Sequence, residues 1–81
     1  MDKAIMLLKL HMENREVDIE VPVHISAKEF VLALNEAYDL RMEVEDISKC
    51  CLRSENPIAL LKGDKTLHEY GLRNGTVIHV F

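Results

Sequence analysis

The run Thr66-Leu-His-Glu-Tyr-Gly-Leu-Arg-Asn-Gly-Thr-Val-Ile-His-Val-Phe81 restricts the architecture more than any other stretch of the chain. Leu67, Tyr70 and Leu72 stand at i, i+3 and i+5, too short a span for a full helix but suited to a single turn closed by Gly71. Asn74-Gly75 tolerates positive φ, so the chain can reverse there and enter Thr76–Phe81, which is rich in β-branched residues. A strand at the end of the sequence frays unless neighbours hold it, so this one is expected in the middle of a sheet.

The upstream pattern supplies those neighbours. Ala4 to Met12 is apolar, and Lys9 and His11 alternate with Leu8, Leu10 and Met12 in a strand phase that turns Met6, Leu8 and Leu10 inward and Ile5 and Leu7 outward. After a polar break at Glu13-Asn14-Arg15, Glu16–Val21 alternates strictly, with Val17, Ile19 and Val21 on one side and acids on the other. These two strands are expected to form a hairpin. Pro22 closes the second, and Ser26-Ala-Lys-Glu29 has the spacing of a capping box. The helix that begins there carries Phe30, Val31, Leu34, Ala37 and Tyr38 on one stripe, with Lys28, Asn35 and Glu36 toward water.

Asp39 to Asp46 reads as an irregular connection touched by Leu40, Met42 and Val44. Ile47–Arg53 is read as a third strand with Cys50 and Leu52 inward and Cys51 and Arg53 outward. Asn56-Pro57 makes a turn, and Ile58–Leu61 gives a short fourth strand before Gly63.

The order is β-β-α-β-β-turn-β, which predicts an α+β fold: a mixed sheet of four to five strands with the helix packed on one face. If the last strand is central, the first can lie beside it in parallel through the long crossover, and that arrangement is a β-grasp. With 81 residues the whole chain, residues 1–81, is read as one domain. A chain of this size buries only about 60 to 65% of its unfolded surface, too little for a second core or a deep catalytic cleft.

The formal charge of −4 argues against general attraction to nucleic acid or anionic lipid. The longest apolar runs, such as Ile5–Leu8, fall far short of the roughly 20 residues that span a bilayer. Cys50 and Cys51 are adjacent and in a strand would point to opposite faces, a poor geometry for a mutual disulfide. Free thiols, and therefore a cytoplasmic protein, are expected.

Thr66-Leu67, Tyr70, Leu72, Thr76 and His79 stand at the spacing found at the end of ubiquitin. Val17, Ile19, Val21-Pro-x-x-x-Ser26, Phe30 and Leu34 follow its hairpin-to-helix pattern. The chain resembles a ubiquitin-like domain over nearly its whole length. The short polar break after the first strand and the ending LHEYGLRNGTVIHVF are similar to the YukD/EsaB family of bacterial ubiquitin-like proteins associated with type VII secretion. That resemblance implies a cytosolic accessory or regulatory component that binds protein partners, with the membrane ATPase or other secretion components as candidates. The alternative is a ubiquitin-like adaptor or modifier-type interaction domain unrelated to secretion. Covalent conjugation is not expected, because it needs a flexible extension ending in Gly-Gly and the sequence stops at Phe81.

Chemistry is sparse. His11, His24, His68 and His79 are scattered, without a C-x-x-C or H-x-x-x-H pair, so they read as ordinary surface or edge residues, and no metal or cofactor is expected. A thiol enzyme would need a reactive Cys51 beside a base, in a domain that offers no oxyanion loop. The chain is therefore read as non-enzymatic. The strand phases instead point to a surface. With Leu8, Leu10, Leu52, Ile78 and Val80 inward, the face away from the helix carries Ile5, Leu7, Cys51, Arg53, Val77, His79 and Phe81. This is the expected protein-binding site, contiguous and apolar, for a partner protein or a second copy in a homodimer. In the resemblance to ubiquitin, His79 and Phe81 stand where that protein carries part of its main recognition patch.

Overall fold

The computed structural model describes residues 2–40 and 52–81. Alternation carries the first hairpin: β1 (Lys3–Leu10) buries Ala4, Met6, Leu8 and Leu10 and pairs antiparallel with β2 (Arg15–Pro22) from Lys3↔Pro22 to Leu10↔Arg15. The ladder ends at Leu10, two residues before the expected limit, because His11–Glu13 forms a 3₁₀ turn closed by Asn14 at φ 50°. The Asn14 N–H donates to the His11 carbonyl at 3.2 Å. Met12, expected in the strand, thus rides on the turn and is 89% exposed.

The helix α1 (Ala27–Tyr38) begins as its spacing dictates. The Glu29 N–H donates to Ser26 Oγ at 3.1 Å while the Glu29 carboxylate accepts from Ser26. Two more N-terminal amides are satisfied by the chain ahead of the final turn: Ala27 donates to the Lys65 carbonyl and Lys28 to that of Gly63, both at 2.9 Å. Ala27, Phe30, Val31 and Leu34 are buried, whereas Ala37, expected on the apolar stripe, is exposed. Asp39 ends the helix in the left-handed region at φ 50°, where the Leu40 N–H reaches back to the Asn35 carbonyl at 3.1 Å.

The third strand, β3 (Leu52–Glu55), extends two residues past the expected Arg53. The Ile47–Cys51 portion of that expectation and the connection from Arg41 to Asp46 lie outside the described residues. A turn at Asn56-Pro57, in which buried Ser54 donates its hydroxyl to the Pro57 carbonyl at 2.8 Å, leads to β4 (Ala59–Leu61). Ile58 belongs to the turn and is exposed.

Thr66–Gly71 forms the expected turn, with Leu67 and Leu72 buried and Gly71 at φ 85°. Its cap is a second reciprocal box: Glu69 N–H donates to Thr66 Oγ1 at 3.1 Å, and the Glu69 carboxylate accepts from the Thr66 amide and hydroxyl at 3.1 and 3.0 Å. Asn74-Gly75 then clamps the chain onto β1, since Ile5 N–H donates to Asn74 Oδ1 at 2.8 Å and Gly75 N–H to the Ile5 carbonyl at 3.0 Å. β5 (Val77–Val80) enters parallel to β1 and antiparallel to β3. The five-stranded order is β2-β1-β5-β3-β4, with the last strand central as expected. Helix and sheet share one core on one side, so the other side of the sheet faces outward.

Candidate protein-binding face

The register builds this outer face in rows. Leu7 sits opposite Val77, which sits opposite Glu55; Lys9 sits opposite His79, which sits opposite Arg53. Beyond the central strands, Ile5 and Leu7 face Glu20 and Asp18 on β2, while Arg53 faces Leu60 on β4. Of the expected site residues, Phe81 is 70% and Ile5 49% exposed, Arg53 is exposed, and Leu7 and Val77 are half-buried. Cys51 lies outside the described residues. Leu60, 49% exposed, extends the face and was missed by the sequence reading. The alternation that turns Leu61 inward was the available signal.

His79 departs from the expectation of an ordinary surface or edge residue. It is on the outer face, between inward Ile78 and Val80, yet only 8% exposed. Three flat side chains cover one another there: His11 stacks on Phe81 at 4.6 Å between centroids and on His79 at 5.0 Å, and His79 and Phe81 lie 5.8 Å apart. The Arg53 guanidinium lies 5.7 Å from the Phe81 ring centre. Both His79 nitrogens are engaged, Nε2 with Glu55 Oε1 and Nδ1 with His11 Nε2, each at 2.8 Å. A carboxylate oxygen accepts, so His79 Nε2 donates to Glu55, while the donor across the His11–His79 contact is set by the ring tautomers.

That string fixes Phe81 as a supported ring. It does not suit metal chemistry, because the two His79 nitrogens point in different directions and cannot converge with His11 and Glu55 on one ion. The face therefore offers exposed aliphatic and aromatic surface, a cation and a rim of acids, the ingredients of a protein contact.

Residues 6–80 match the family described as "WXG100 protein secretion system (Wss), protein YukD". The chain belongs to the YukD family. No curated protein matches this YukD-family chain in sequence. Its fold recurs in the C-terminal ubiquitin-like domain of mouse tubulin-specific chaperone e, with 16% identity, 98% of this chain and 84% of that one covered, and a TM-score of 0.73. It is also similar to the ubiquitin-like domain of Plasmodium falciparum Dsk2, with 19% identity, 95% and 93% covered, and a TM-score of 0.66. A third similar structure is the ubiquitin-like domain of Arabidopsis thaliana protein At2g32350, with 16% identity, 100% and 78% covered, and a TM-score of 0.69. At such identities these likenesses establish the ubiquitin-like β-grasp fold and nothing about partners. Among the described residues no helix is long and apolar enough to cross a membrane.

Proposed function

We propose that this YukD-family chain is a non-enzymatic accessory or regulatory protein of a bacterial type VII secretion system. In this reading it works in the cytoplasm by binding a protein partner through the outer face of its sheet. The observation that carries it is the exposure of Phe81, Ile5 and Leu60 beside Arg53 on a sheet that the helix covers from one side only. The family supports the secretion setting. The adjacent Cys50 and Cys51 support a reducing compartment. Phe81 and Leu7 serve as apolar anchors, with Arg53 at the rim. The secretion ATPase is the first candidate partner, and a homodimer through the same face is the second.

Leu7→Ser combined with Phe81→Ser tests this. The double variant should keep its circular dichroism spectrum and lose capture of the purified cytoplasmic part of the ATPase, or shift from dimer to monomer in sedimentation. A folded double variant with unchanged binding and unchanged oligomeric state would remove this face from consideration.

A further inference from the structure

A second surface lies on the other side of the sheet's β2 edge. Among the described residues β2 is the outermost strand and, along its eight residues, pairs with β1 alone. Alternate residues of such a strand turn N–H and C=O groups away from the only partner, ready for another strand. The opposite edge is β4, only three residues long. Beside β2 runs a cleft of about 450 Å³, within the range of ligand sites. Ile19 and Val21 line it from the strand, and buried Phe30 and Leu34 line it from α1. Exposed Ala33 and Ala37 leave its helical rim low.

The charge pattern selects what could lie there. On the outer side of the same strand stand Glu16, Asp18 and Glu20, in alternation with the residues turned toward the helix. Lys9 and Lys3 on β1 offset Glu16 and Glu20, the latter through a 3.4 Å ion pair, whereas Asp18 faces Leu7. A second copy of the chain pairing antiparallel about Asp18 would set acid opposite acid along the whole edge, which is destabilising. An added strand with basic residues at those positions would instead gain cross-strand pairs.

We infer that the β2 edge takes up an extended segment of a partner protein in which apolar residues alternate with lysine or arginine. The apolar side chains enter the β2–α1 cleft, the basic ones lie opposite Glu16, Asp18 and Glu20, and the backbone adds a sixth strand to the sheet. This surface is separate from the outer face proposed above, and neither reading depends on the other.

The test is an ¹⁵N NMR titration of the full chain with a synthetic peptide that alternates lysine with valine and is as long as β2. The amides of Val17–Val21 and of Ala33 and Ala37 should shift, while those of Leu7 and Val77 stay in place. Asp18→Lys should bind this peptide roughly fivefold more weakly and gain affinity for the counterpart carrying glutamate in place of lysine. Ala33→Leu, a helix-favouring change at an exposed position, should fill the cleft and weaken both. The Leu7→Ser and Phe81→Ser double variant should bind the peptide as the parent does. Absence of shifts at millimolar peptide, equal binding of the lysine and glutamate peptides, or concentration-dependent β2 shifts without peptide would overturn the inference.

Discussion

Thr66 and Glu69 hold each other in a contact whose strength is measurable at one carboxyl. Hydrogen bonds from the Thr66 amide and hydroxyl, with smaller help from Lys65 and His68, keep the Glu69 carboxyl below its ordinary range. Because the folded value is depressed, the stabilisation is complete above the unfolded value and is lost as pH falls through the folded one. Thr66→Val removes the hydroxyl donor, so a ¹³C-carboxyl NMR titration should show the Glu69 midpoint rising; an unmoved midpoint would mean that the box does not form. The Thr-x-x-Glu spacing was as visible as the Ser-x-x-Glu spacing at residue 26, but it precedes one turn and not an apolar helical run, so the sequence did not single it out. His79 shows a different limit. Strand alternation gave its direction correctly, but its burial depends on His11, 68 positions away, and on Glu55, 24 positions away, closing over it.

Elements were legible where a local rule sufficed and blurred where a neighbour decided. The helix start followed from Ser26 and Glu29, and the β2 phase from its strict alternation. The end of β1 did not, since only the left-handed Asn14 converts His11–Glu13 from strand to turn and lifts Met12 out. Ala37 kept the helical period yet stayed exposed, because the edge strand lies across a cleft from it and not against it. The helix itself gives a ranking to test. Ser26→Ala removes one cap and should lose about 1 kcal/mol. Leu34→Ala deletes buried volume and should lose about 2 to 5 kcal/mol. Urea midpoints in the reverse order would mean that α1 contributes less packing than its burial implies.

At the scale of the molecule, the outer face of the sheet is assembled by the arrival of β5 between β1 and β3. The β-grasp topology was readable because the element order left few ways to shield the closing strand, and the parallel β1–β5 pairing from Leu7↔Val77 to Leu10↔Val80 is the outcome. The outer face was readable as a set of directions but not as a surface, since strand phase says nothing of the acids and rings that border it. β5 joins the β2-β1 hairpin to the β3-β4 pair, which have no ladder with each other among the described residues. Without β5, each half is a two-stranded ribbon of marginal stability, and the core loses Ile78 and Val80 together. Removing Val77–Phe81 should therefore abolish the dispersed NMR spectrum of the whole chain, not merely that of the sheet's centre. Ile78→Ala alone, which empties a fully buried site, should cost about 2 to 5 kcal/mol by urea denaturation. A truncated chain that kept native dispersion in the β1–β2 hairpin and α1 would show that this half folds by itself and that β5 is only docked upon it.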